Sequence, residues 1–156
     1  MKKFLLFIMG LPLLSFAQDS SKVKLNFEAF VDLYYAAQEG PVSNDAIAFN
    51  NSRKNDFNLN LGLIKLNAEH ERYRANIGLM TGTYARYNLA HEPLEFRNIW
   101  EANAGIRLAK NLWLDAGIFS SHLGFESAIS TENLTLTRSL VAENSPYYLS
   151  GVNLTY

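Results

Sequence analysis

Long alternation of apolar and polar residues, with a period of two, constrains this chain more than any other feature. In 25–35 (LNFEAFVDLYY) one face carries Leu25, Phe27, Ala29, Val31, Leu33 and Tyr35, and the other carries Asn26, Glu28, Phe30, Asp32 and Tyr34. The same pattern recurs over 57–69, 74–84, 98–108, 112–119 and 148–156. Successive side chains of a strand point to opposite faces, so each segment reads as a strand with one apolar face and one polar, often charged, face. In 57–69 the phase slips: Phe57, Leu59, Leu61 and Leu63 are followed by Ile64, Leu66 and Ala68. A one-residue slip turns every later side chain over, and a β-bulge near Gly62–Ile64 is expected to restore the face.

Two architectures share this pattern. A soluble barrel or sandwich buries the apolar face, whereas a membrane barrel turns it outward to lipid around a polar lumen. Three features favour the membrane barrel. Most segments reach the ~9–11 residues that a tilted strand needs to cross a bilayer, against about 5–6 for a soluble strand. The connections alternate in length: long at 37–54, short at 70–73, long at 85–96, short at Ala109-Lys110-Asn111, long at 120–146. Aromatic residues such as Tyr34, Tyr35, Phe57, Tyr73, Tyr84, Trp100, Trp113, Tyr148 and Tyr156 cluster near segment ends, where headgroups favour amphipathic rings. The expected fold is all-β: an antiparallel up-and-down transmembrane β-barrel. Only a closed sheet satisfies its backbone in lipid. Six strands fall short of the ~8 of the smallest single-chain barrels. Either 131–141 hides two more strands, or the chain is the front part of a longer protein and forms a partial barrel, a curved open sheet.

The N-terminus sets the compartment. Lys2 and Lys3 precede an apolar run from Phe4 to Leu14, and Ser15-Phe16-Ala17 places small residues at the positions that signal peptidase reads. Cleavage between Ala17 and Gln18 is expected, giving a signal peptide 1–17 and a barrel portion 18–156. The run is shorter than the ~20 residues of a spanning helix. The second residue after cleavage is Asp19 rather than a lipidation cysteine. The chain is therefore expected in the cell outer membrane, with membrane lipid and, during insertion, the barrel-assembly machinery as partners. A homo-oligomer is compatible with this. The chain has no cysteine, which excludes disulfides and thiolate metal sites, and its formal net charge of −1 argues against nucleic acid.

The stretches GLMTGTYARYN (78–88), AGIFSSHLGFESA (116–128) and TLTRSLVAENSPYYLSGVNLTY (135–156) resemble the opening part of a family of Gram-negative outer-membrane porins, β-barrel porin-2 (OmpL-like). The most specific part is G-F-E-S, T-R-S and S-P-Y-Y in that order. The resemblance implies a water-filled pore for passive diffusion of small polar solutes or ions, further strands after Tyr156, no catalytic residues and no cofactor.

Strand parity places Glu28, Asp32, Lys65, Glu69, Arg74, Glu101, Arg107 and Asp115 toward a lumen. Charged walls tune which ions pass, and charges of opposite sign also pair across strands to keep an interior wet. Porins often fold one long loop inward. In 120–146, Glu126, Glu132, Arg138 and Glu143 are the residues that would line such a constriction, unless the loop is external with one short helix in 131–142. Residues 40–56 hold Gly40-Pro41, Asn44-Asp45, Asn50-Asn51 and Asn55-Asp56, which are turn formers; their spacing matches no calcium loop. The rival reading is an outer-membrane hydrolase of the phospholipase type, drawn from Ser120, Ser121 and His122. Adjacent residues on a strand point opposite ways, however, and no G-x-S-x-G elbow is present. Instead Gly124 is expected to turn the strand into the long loop. A third reading is a soluble secreted β-barrel carrier, in which the apolar faces would be buried inside.

Overall fold

The computed structural model describes residues 23–37, 39, 53–136 and 138–156. The expected signal peptide 1–17, its Ala17–Gln18 junction and the turn formers of 40–51 lie outside the described residues. Six strands run β1 (Lys24–Tyr35), β2 (Phe57–Glu69), β3 (Tyr73–Thr81), β4 (Ile99–Ala109), β5 (Leu112–Ser120) and β6 (Tyr148–Thr155). Each pairs antiparallel with its neighbour in sequence, in the order β1-β2-β3-β4-β5-β6, as one open sheet. This is the up-and-down arrangement that the alternation predicts, in the partial form. The long and short connections also fall as expected. Residues 131–141 hold no strand among the described residues; they carry part of a single 3₁₀ turn (Ser130–Glu132) and the start of a short helix, α2 (Leu140–Glu143).

The sheet is apolar on the outside. Leu25, Phe27, Val31 and Leu33 of β1 are each about two-thirds exposed, and Ile64, Leu66, Ile77, Leu79, Ile106, Val152 and Leu154 continue the same face. The other face carries the charges and is covered at one end. There Leu61, Leu63 and Met80 pack with Tyr84, Ala85 and Leu89 of the segment after β3, and with Ala128 of the 121–147 segment. Phe30, Trp100, Ile129, Tyr147 and Tyr148 surround this cluster.

Two departures from the expected alternation explain how a polar face gains an apolar core. The bulge of β2 lies at Asn60, not at Gly62–Ile64. Asp32 faces Leu61 and Leu33 faces Leu59, so Asn60 is the extra residue. From there Leu61 and Leu63 turn to the polar side with Lys65 and Asn67, while Ile64 and Leu66 turn outward with no further slip. Asn60 is buried, and its amide donates to the half-buried Asp32 carboxylate at 2.8 Å, which compensates the burial of the amide. A second bulge leaves Trp100 without a partner between Ile99 and Glu101. Trp100 therefore packs over Gly78 on the polar side instead of continuing the apolar face.

β3 also ends earlier than the expected Tyr84. Gly82 adopts φ 118, where a Cβ would overlap the Asn60 carbonyl, and the chain turns there into a six-residue helix, α1 (Thr83–Asn88). So short a helix is not stable alone. It is held by burying Thr83, Tyr84 and Ala85 against the bulged end of β2.

Candidate functional site

Strand register stacks the polar face into layers. Nearest the short turns, two guanidinium groups lie against the Trp113 ring, Arg74 at 4.5 Å and Arg107 at 4.7 Å. Arg74 reaches across β4 to grip Asp115 on β5, with Nε donating to Oδ1 at 2.6 Å and Nη2 to Oδ2. It passes over Gly105, which stands opposite both Arg74 and Asp115. A Cβ at Gly105 would overlap the Asp115 carboxylate, so the missing side chain makes room for this pair. The Asp115 side chain is 3% exposed; a carboxylate so buried needs a fork of this kind. Glu69 stands opposite Arg74 in the neighbouring register position.

The next layer is a row of asparagines. Asn26, Asn67, Asn76 and Asn103 are successive register partners on β1 to β4. Asn76 donates to the Asn103 side-chain carbonyl at 2.8 Å, Asn103 to the Ile118 backbone carbonyl at 3.0 Å, and Asn67 to Glu28 at 3.0 Å. Above this row Lys65 sits between two carboxylates, 3.1 Å from Glu101 and 3.7 Å from Glu28. Thus the eight charged residues predicted for this face share it, and most are paired: Lys65 with Glu28 and Glu101, Arg74 with Asp115, Asp32 with the Asn60 amide. A cavity of about 870 Å³ is lined by Asn67, Arg74, Asn76, Glu101, Asn103 and Asp115, together with the β5–β6 end of the sheet.

The 121–147 segment lies over the opposite end of this face. Its ends are tied where the Ser121 amide donates to the Tyr147 carbonyl at 3.3 Å. Gly124 turns the chain with φ 85 after β5, as expected. Of the four residues predicted for a constriction, Arg138 and Glu143 pair with each other, Nε to Oε1 at 3.0 Å, with side chains only 6% and 3% exposed. The guanidinium also sits 5.5 Å from the Tyr84 ring and 5.4 Å from the Tyr147 ring, and those two rings meet edge to face. Burial raises the Tyr84 hydroxyl above its ordinary value near 10, and burial followed by the Glu143 charge does the same for Tyr147. Glu126 ties the start of α2, accepting from the Ser139 amide at 2.8 Å and from the Ser139 hydroxyl; the hydroxyl bond chiefly, then the amide, lowers its pKa. Glu132 is exposed and lines a smaller cavity of about 290 Å³ between this segment and the sheet, with Lys65, Trp100, Glu126 and Arg138.

Among the described residues no hydrogen bond joins Ser120 or Ser121 to His122. The Ser121 hydroxyl accepts from the Leu123 amide at 3.3 Å, and His122 is exposed. His70 is buried by stacking on Tyr73 at 4.3 Å in the β2–β3 turn. Among the described residues no group of three or more His, Asp or Glu is placed to hold a metal ion.

The asparagine row and the Tyr84–Arg138–Tyr147 cluster were not singled out from sequence. The asparagines were legible only as uncharged members of the polar parity. The cluster joins residues 63 positions apart, and no local pattern signals it. No curated protein and no solved structure matches this chain. A family model does match, over residues 24–156, which span all six strands and both covering segments. The chain belongs to the β-barrel porin family described as "Putative beta-barrel porin-2, OmpL-like".

Proposed function

We propose that this chain forms wall and loop of a water-filled pore in the outer membrane, through which small polar solutes diffuse passively. One observation carries the reading: the sheet is built inside out. Its exposed face is a continuous run of Leu, Ile, Val and Phe, while its charges and amides lie on the face that the covering segments shelter. A soluble carrier would bury the apolar face; lipid is the solvent that accepts it outside. The eight charged residues then line the lumen, and the 121–147 segment narrows it, with Arg138–Glu143 holding that segment in place and Glu132 facing the passage.

The test is reconstitution of the protein produced from its complete gene. Recovery in the outer-membrane fraction and stepwise conductance in planar bilayers are expected. Recovery in the soluble periplasm without detergent would refute the reading.

A further inference from the structure

Most of the charge on the polar face is paired within the face itself, although its five acidic residues outnumber its three basic ones. Lys65 is shared by Glu28 and Glu101, Arg74 is held by Asp115, and Arg107 lies against Trp113. Pores that select ions by charge present rings of one sign; here the signs interleave at contact distance. Between the two charged layers lies the asparagine row, which carries dipoles and no charge.

Each asparagine bond described above uses one of two amide hydrogens. Among the described residues, Asn67, Asn76 and Asn103 therefore each keep a second N–H, and Asn67 and Asn76 keep their side-chain carbonyls, on the wall of the 870 Å³ cavity. That volume falls in the range of small-molecule sites. Neighbouring strands lie about 4.8 Å apart, so donors and acceptors recur along the row at close to the width of a sugar ring. A hydroxyl both donates and accepts, and exchanges its water for such amides at little net cost. An ion entering the same layer gives up water and meets amide dipoles rather than an opposite charge in return.

We propose that the row Asn67–Asn76–Asn103 is a recognition track that favours uncharged, hydroxyl-bearing solutes of sugar size over ions. This rests on the pore reading above and specifies its solute class. The experiment is osmotic swelling of proteoliposomes carrying the complete protein, with glucose and gluconate as probes of matched size, alongside salt conductance in planar bilayers. Glucose is expected to enter several-fold faster than gluconate. In the variant Asn67→Val/Asn76→Val/Asn103→Val, glucose entry is expected to fall roughly fivefold while salt conductance stays level. The wild-type comparison of glucose with gluconate needs no substitution, so a variant that fails to assemble leaves the proposal open to refutation. Equal entry of glucose and gluconate, or a parallel fall of glucose and salt flux in the variant, would each overturn it. An assembled wild-type protein that passes neither sugar nor salt would instead overturn the pore reading beneath it.

Discussion

Replacing Glu143 with Gln tests whether the Arg138–Glu143 pair holds the 121–147 segment over the polar face. The change keeps side-chain volume and one acceptor for the Arg138 Nε, now 3.0 Å from Glu143, and removes only the charge. Both side chains are almost fully buried, so the guanidinium is left uncompensated. Removing one partner of a buried pair typically costs about 3–5 kcal/mol. The retained acceptor and the rings of Tyr84 and Tyr147, each worth about 0.5–1 kcal/mol to a cation, offset part of this. A net loss of about 2–3 kcal/mol shifts the segment's attachment equilibrium by roughly 30- to 150-fold. A non-specific protease, which avoids changing the cleavage chemistry along with the residue, should then cut within 121–147 much faster in reconstituted Glu143→Gln than in wild type, and conductance should rise. Removing both charges, as Arg138→Met/Glu143→Leu, should restore protection, because well-packed apolar replacements of a buried pair are close to neutral. Unchanged proteolysis and conductance in Glu143→Gln would refute the latch.

Three further outcomes follow from the same geometry. Ile77→Arg on the outer face should cost about 2–4 kcal/mol in a bilayer and block outer-membrane assembly, whereas Asn76→Arg, one residue away on the polar face, should assemble; equal tolerance would contradict the assignment of faces. Gly105→Ala should lower the unfolding midpoint in detergent by about 1–3 kcal/mol, and less than additively when combined with Asp115→Ala, since its Cβ collides with that carboxylate. Tyr84, whose hydroxyl is held above its ordinary value near 10, favours the folded state fully below that pH and loses this contribution as pH rises past it; protease protection of 121–147 should weaken above about pH 10, and Tyr84→Phe should flatten that loss.

Strand number, order and faces were legible because a period of two is written locally in each segment. Limits came where tertiary contact reassigned a local pattern. Leu61 and Leu63 look like lipid-facing residues, and nothing nearby in sequence reveals that α1 and Ala128 cover them. The phase slip in β2 was visible, but its position at Asn60 depends on pairing with Asp32 and Leu33 of another strand. Trp100 fits the apolar parity of 98–108 in sequence and leaves it only through a bulge against β3. In the site, parity alone groups the charged residues on one face. Their pairing was not legible, because Arg74 finds Asp115 across an intervening strand and only where Gly105 stands between them. Glu126, Arg138 and Glu143 were legible as a charged group, while their mutual contacts depend on the fold of the long segment.

The nearest-neighbour order of the six strands has a kinetic consequence. β2–β3 and β4–β5 are joined by three and two residues, 70–72 and 110–111, while 82–98 and 121–147 join the other ends. Closing the longer segments costs about 2 kcal/mol more chain entropy than closing the tight turns. The two tight hairpins should therefore form first and register with one another second. The segments that carry α1 and the Arg138–Glu143 pair would settle last, onto a face already laid down. Changes of sequence in those segments would then alter how wide the finished passage is without slowing the steps that build its wall.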